Sequence, residues 1–170
     1  MQLFIVAVGK NRGSAEHRLA EDWLGRLPEA GGIHEVESKL PAGAKRTEDE
    51  GIRLLRAVPP GAALAILDPR GKDHSSEDLA ALIRDWRDSG YGAAAFAIGG
   101  ADGHAATIRQ KALRTISFGR ATWPHMLCRA MLAEQLYRAS MILAGHPYHC
   151  LLYTSPSPRD YAASRMPSSA

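Results

Sequence analysis

Cysteine is scarce in this chain, which has only Cys128 and Cys150 in 170 residues. Two cysteines are too few for a disulfide framework, which excludes a small disulfide-rich secreted scaffold. No apolar run approaches the roughly 18 residues that a membrane span needs. The start of the chain, Met1 to Gly9, lacks the basic beginning of a secretory signal peptide and is better interpreted as a first strand. We therefore expect a cytoplasmic protein that does not associate with membranes.

A large excess of charge of one sign is also missing. The net charge is +3, from 21 Lys and Arg against 18 Asp and Glu. This mildly basic balance permits an RNA partner without requiring one. Hydrophobic residues make up 45% of the chain, which is enough to bury a core, and 170 residues suit a single domain.

Short apolar segments alternate with amphipathic ones along the chain. Helices are predicted after the N-cap Ser14 and after Ser75, and over residues 47–58, 104–113 and 125–143. Strands are predicted over residues 3–8, 33–38, 62–67, 93–98 and 115–118, and residues 68–71 are predicted to form a turn that ends the third strand. This alternation predicts an α/β fold with a mostly parallel sheet flanked by helices.

A glycine-rich segment, Ile98 to Gly103, follows the fourth predicted strand and precedes a helix. Open α/β sheets bind ligands at the carboxyl ends of their strands, and glycine lets the backbone approach a ligand closely. Glycine turns are common, so this segment alone is weak evidence for a binding loop. A nicotinamide-binding site would place its glycine motif after the first strand of the fold, which disfavours an oxidoreductase.

A second group of motifs surrounds the final helix. Pro124 is typical of a helix start, Thr122 is a candidate N-cap, and Gly145 is a candidate C-terminal glycine. With the glycine segment, these motifs resemble the bacterial 23S rRNA pseudouridine N3-methyltransferases, a single-domain branch of the SPOUT superfamily. The matching residues span positions 1–149: Val6-Ala7-Val8-Gly9-Lys10, Leu67-Asp68, Gly71-Lys72, Ile98-Gly99-Gly100, Gly103, Thr122, Pro124-His125, Arg129, Glu134-Gln135-Leu136-Tyr137-Arg138-Ala139 and Pro147-Tyr148-His149.

The resemblance implies a fold and a reaction. The fold would be SPOUT-type, with a trefoil knot in its carboxyl-terminal part, and the protein would act as a homodimer. The methyl donor would be S-adenosyl-L-methionine, with no metal. The acceptor would be N3 of a pseudouridine in the helix 69 stem-loop of 23S rRNA, within the assembled ribosome.

The resemblance also implies a donor site built from three segments of the chain. Apolar contacts and backbone groups would hold the adenine there. The corresponding residues are Leu67, Gly99, Gly100, Gly103, Phe118, Gly119, Arg120, Ala121, Thr122 and Trp123.

Three residues are candidates for the catalytic step. His149 could remove the N3 proton, because histidine titrates near neutral pH, although a phosphate contact or a solvated position is an equal alternative. Tyr148 could stack on the base or simply pack against the domain. Arg129 could contact the donor carboxylate, the RNA or a dimer partner.

Basic residues outside this region are candidates for RNA contacts. Lys39, Lys45 and Arg46 lie in a basic loop, and Arg138 is assigned to RNA binding as well. A solvated charged surface remains an alternative for each of them. Two further functions stay open: another SPOUT RNA methyltransferase, or a non-catalytic RNA-binding module.

The carboxyl-terminal segment, residues 150–170, differs in composition from the rest. It lacks apolar periodicity, which predicts a disordered tail, and the resemblance ends before it, so we expect it not to be native to the domain at 1–149. Serine and proline recur in it at Ser155, Pro156, Ser157, Pro158, Ser164, Pro167, Ser168 and Ser169.

Overall fold

A computed structural model describes residues 1–10, 13–29 and 31–149 of the chain. For His149 it describes the backbone alone. The predicted tail at 150–170 lies outside the described residues. The strands are β1 (Gln2–Val8), β2 (Gly32–Val36), β3 (Ala63–Asp73), β4 (Ala93–Ile98) and β5 (Arg114–Ser117). The helices are α1 (Ala15–Gly25), α2 (Ala44–Ala57), α3 (Ser76–Asp88), α4 (Ala106–Lys111) and α5 (His125–Leu143), followed by a 3₁₀ turn at Pro147–His149.

The five strands form one sheet in the order β2-β1-β4-β3-β5, and every neighbouring pair is parallel. The predicted α/β class with a parallel sheet is therefore confirmed. Ile98 at the end of β4 pairs with Ala7 of β1 on one side and with Leu67 of β3 on the other. The carboxyl ends of these strands therefore meet at one edge of the sheet. The trefoil knot stays a prediction.

Two cores cover the two faces of the sheet. Successive side chains of a strand point to opposite faces, and β1 divides accordingly: Leu3, Ile5 and Ala7 pack with α1, α3 and α5, whereas Val6 and Val8 pack with α2 and α4. Because both faces of the sheet are buried, the central strands β1 and β4 and the first half of β3 are almost wholly apolar and show little alternation.

Helix starts follow the capping signals in the sequence. Ser75 caps α3 with a capping box, in which its side chain accepts from Asp78 N at 3.1 Å and Asp78 accepts from Ser75 N. Ser14 caps α1 and accepts from His17 N at 3.0 Å. Thr122 does not cap α5; Pro124 occupies that position without a side-chain hydrogen bond.

The third strand is longer than the sequence predicts. The segment 68–71 does not end β3 as a turn, because the strand continues to Asp73. Leu67 and Lys72 both pair with Ile116 of β5, so the residues between them form an irregular bulge within the strand. Pairing with β5 therefore outweighs the local turn preference of Pro69 and Gly71. Helix α2 also begins three residues earlier than the predicted range 47–58, at Ala44.

No helix in the described ranges is long and apolar enough to cross a membrane.

Candidate functional site

A cavity of about 230 Å³ lies where the carboxyl ends of β3, β4 and β5 approach the start of α5. This edge is where open α/β sheets bind their ligands. Its walls come from three separate stretches of sequence: the end of β3, the glycine loop after β4, and the connection from β5 to α5. The same three stretches form the donor site that the family resemblance implies.

Most of the residues expected to hold a donor line this cavity. Arg120 is the exception, since it is exposed on the connection before α5 and lies outside the lining. The lining residues among the predicted set are Leu67, Gly99, Gly100, Gly103, Phe118, Gly119, Ala121, Thr122 and Trp123.

The glycine loop is a tight turn whose conformation needs glycine. Gly103 has φ +79°, and its N–H donates to the Gly100 carbonyl at 3.0 Å. A Cβ on Gly99 would lie 2.7 Å from the Gly103 carbonyl oxygen. The shape of the turn itself therefore requires glycine at 99 and 103.

Asp68 also lines the cavity, although the sequence analysis did not select it as a site residue. Its carboxylate is 3% exposed and lies 2.6 Å from Arg109 Nη2 and 3.1 Å from Arg70 Nε. Burial alone would raise the pKa of Asp68, but the hydrogen bonds from Arg70 and the ion pair with Arg109 hold it well below its usual range. Asp68 is thus ionised at neutral pH and anchors two arginines.

His104 follows the glycine loop, also lines the cavity, and was not predicted as a site residue. It is buried, and its Nε2 lies 2.9 Å from the Leu67 carbonyl oxygen. Burial lowers the pKa of His104, so the neutral ring donates this hydrogen bond and ties the loop to the end of β3. No local sequence signal identifies it, because its partner lies 37 residues away in the chain.

Arg129 lies beneath the start of α5 rather than in the cavity. Its side chain is 1% exposed and pairs with Glu35 at 2.7 Å. Nη2 also donates to the carbonyl oxygens of Val8 at 2.6 Å and Gly9 at 2.8 Å. With these donors engaged in the protein, Arg129 connects α5 to β1 and β2. The geometry therefore gives it a structural task instead of the expected contact with donor or RNA.

Tyr148 stands in a cluster at the end of α5. Its hydroxyl donates to Glu134 Oε1 at 3.2 Å, and the Arg138 guanidinium lies 5.0 Å from its ring centre. Arg138 also pairs with Glu134 and is 8% exposed. Burial and the Glu134 carboxylate raise the pKa of Tyr148, so the phenol is neutral at physiological pH. Arg138 is therefore engaged with Glu134 and Tyr148, and its assignment to RNA binding stays a prediction.

The other predicted basic residues lie at the start of α2. Lys39 and Lys45 are exposed, whereas Arg46 is half-buried and donates through Nε to Glu50 at 2.8 Å. The backbone of His149 belongs to the 3₁₀ turn beside Tyr148. Across the described part of the chain, no three His, Cys, Asp or Glu side chains are grouped as metal ligands would be.

Comparison with known proteins gives the family. The family described as "Predicted SPOUT methyltransferase" matches residues 1–149. Proteins named Ribosomal RNA large subunit methyltransferase H are similar to this chain: that of Paramagnetospirillum magneticum is 50% identical over 150 residues, and that of Rhodospirillum centenum is 49% identical over 150 residues. Each alignment covers 88% of this chain and 99% of the relative. The chain belongs to the SPOUT methyltransferase family.

Proposed function

We propose that this protein transfers a methyl group from S-adenosyl-L-methionine to N3 of a pseudouridine in 23S rRNA, within the helix 69 stem-loop of the assembled ribosome. One observation carries the proposal: three stretches that the sequence assigns to the donor, distant along the chain, line one cavity at the sheet edge. The named activity of the relatives supports an rRNA substrate.

The cavity suits a nucleoside with a short charged extension. Leu67, Phe118 and Trp123 offer apolar surface to an adenine, and the backbone of residues 99–103 and 118–122 offers hydrogen-bonding groups. A Cβ on Gly119 would meet no atom within 4 Å, so the backbone there is open to a ligand. The donor, when bound, supplies an electrophilic methyl group on a positively charged sulfur. The protein's task is then to hold the acceptor nitrogen in line with that methyl group.

On the acceptor side, N3 of pseudouridine carries a proton that must leave. We assign its removal to His149, which follows Tyr148 in the 3₁₀ turn after α5. An imidazole titrates close to neutral pH and accepts a proton from an imide nitrogen that lies within hydrogen-bond reach.

Tyr148 would stack on the unpaired base. Its phenol is fixed by Glu134, and Trp23 and Tyr137 pack against its ring with centroids 6.1 and 5.0 Å away. A ring held in one orientation loses little entropy when a base stacks on it. Arg138 lies over this ring and supports it. Arg129 fixes the first turns of α5 to β1 and β2.

The RNA would contact the exposed Lys39, which precedes α2, and Lys45 in its first turn. Binding through such residues weakens with salt, because each neutralised phosphate releases counterions. A ribosomal substrate would place the protein in the cytoplasm, where we expect it to act as a homodimer.

The test is transfer of labelled methyl from S-adenosyl-L-methionine to ribosomes that lack this modification. Label in 23S rRNA is expected only when the pseudouridine is present, so pseudouridine-free ribosomes are the control. Donor binding without label would indicate another RNA substrate. Failure of both binding and transfer would contradict the proposal.

A further inference from the structure

Helix α2 contacts the glycine loop through two adjacent residues, Glu50 and Gly51. A Cβ on Gly100 would lie 2.7 Å from Glu50 Oε2, and a Cβ on Gly51 would lie 2.7 Å from the Ala105 Cβ. Neither approach leaves space for one more carbon atom. The helix therefore packs directly against the loop at Gly100 and against the start of α4 at Ala105.

Glu50 is a charged side chain in a place that favours apolar ones. Its side chain is 6% exposed, on the face of α2 that also buries Leu54 against the sheet. Its Oε1 accepts a hydrogen bond from Arg46 Nε at 2.8 Å, while Oε2 is the atom next to Gly100. An ion pair between residues four apart on an exposed helix is worth only about 0.3–0.5 kcal/mol. The bond to Arg46 alone is therefore a poor reason to bury this carboxylate.

A second set of contacts to the loop region comes from α4. Arg109 Nε donates to the His104 carbonyl at 3.0 Å, and its Nη2 pairs with Asp68. A cation on α4 and an anion on α2 therefore both contact this region, next to His104 and Gly100 respectively. Glu50 has no role in the proposed reaction as described above.

We propose that Glu50 is a positioning residue for the donor-binding loop. Its carboxylate packs against the Gly100 backbone, which keeps the loop in the shape that binds S-adenosyl-L-methionine. This inference rests on the proposed function, since it concerns the same cavity. Glu50 acts through the loop and does not line the cavity itself.

The experiment compares Glu50→Gln with Glu48→Gln. Both remove one negative charge from the same turn region of α2, but Glu48 is half-buried and does not approach Gly100. Donor affinity is measured by calorimetry, together with the rise in melting temperature that the donor produces. For E50Q we expect donor binding to weaken about tenfold, because the uncharged amide loses the ion pair with Arg46 that holds this side chain against Gly100. In methyl transfer the KM for the donor should rise while kcat changes little. E48Q should match the wild type.

The outcomes separate the two proposals. A wild-type protein that does not bind S-adenosyl-L-methionine contradicts the proposed function. A wild type that binds it, with E50Q binding equally well, overturns the role of Glu50 and leaves the function intact. If E50Q does not fold, Glu50→Asp keeps the charge and withdraws it by one methylene. Weaker donor binding by this variant supports the inference, and unchanged binding refutes it.

Discussion

At the scale of single residues, Asp68 makes stability depend on pH. The Arg70 and Arg109 partners hold its pKa in the folded protein below the unfolded value of about 3.9. The contribution of Asp68 to the free energy of unfolding is therefore fully present above that pH, and it is lost as the pH falls through the folded-state pKa. We expect Asp68→Asn to lower the free energy of unfolding by about 2 kcal/mol at neutral pH. The difference from wild type should shrink below about pH 4.

Urea titrations at a series of pH values measure this effect. Asp88→Asn is the matched control, because the Asp88 side chain is 61% exposed and pairs only at the surface with Arg87. It should change stability by less than about 0.5 kcal/mol at any pH. An equal loss in D68N and D88N would show that the buried ion pairs of Asp68 are not stabilising.

Arg129 provides a second prediction at this scale. Arg129→Ala removes the cation from the buried pair with Glu35 and leaves the Val8 and Gly9 carbonyls without their donor. Breaking a buried pair in this way costs about 3–5 kcal/mol, so chemical denaturation should show a large loss. Arg84→Ala, which removes an exposed pair with Asp85, should cost little. If R129A kept wild-type stability and lost methyl transfer, the earlier expectation of a catalytic Arg129 would be restored.

These residues show which parts of the candidate site could be predicted from the sequence and which could not. The glycine loop and residues 118–123 could be selected because each motif is local and matches a known family. The partners of Arg129 and His104 could not, because they lie 94 and 37 residues away and only the folded chain brings them together. Glu50 gives no local signal either, since a glutamate on a helix usually faces solvent.

At the scale of elements, the irregular junction of β3 and β5 determines one wall of the cavity. A Cβ on Gly71 would lie 2.8 Å from backbone atoms of Thr115 and Ile116. Gly71→Ala should therefore push β5 away, at a cost of about 1–3 kcal/mol, the usual range for overpacking. Donor binding should weaken too, because Ser117 and Phe118 continue from this strand into the lining.

Gly92→Ala is the control for this substitution. Gly92 is exposed before β4, and a Cβ there would meet no atom within 4 Å. Thermal melting and donor titration of both variants measure the effect. If G71A melted and bound donor like G92A, the close approach of the two strands would have no energetic consequence.

Element prediction succeeded where a helix or strand carries its own signal. The capping box at Ser75 and the apolar run of β4 are local, and both elements begin where the sequence predicts. The end of β3 was predicted wrongly because Pro69 and Gly71 favour a turn, whereas pairing with β5 extends the strand. Long-range pairing of this kind overrides local propensity and cannot be detected from neighbouring residues.

At the scale of the whole molecule, the sheet order brings distant segments to one edge. Alternating strands and helices predict a parallel sheet, but they do not specify which strands are neighbours. The observed order places β4 between β1 and β3, so the glycine loop lies beside the end of β3. The cavity is therefore a property of the topology and not of any single motif.

A groove of about 1120 Å³ between α1, α3 and α5 adjoins this cavity and supports the proposed homodimer. Ile116 to Gly119 line both spaces, so a partner seated in the groove would also enclose one side of the cavity. Leu19 and Leu127 line the groove and remain 47% and 37% exposed, which is typical of an interaction surface.

The double variant Leu19→Glu, Leu127→Glu should therefore be monomeric, because charges do not bury in an apolar interface without partners. Light scattering with size-exclusion chromatography measures the mass, and circular dichroism checks that the fold is kept. Ile52→Glu, on α2 and 38% exposed, lies outside the groove and should leave the dimer unchanged. If the groove completes the active site, the monomeric variant should also lose most methyl transfer. A wild type that is monomeric at the concentrations of the activity assay, yet active, would show that one copy of the chain suffices.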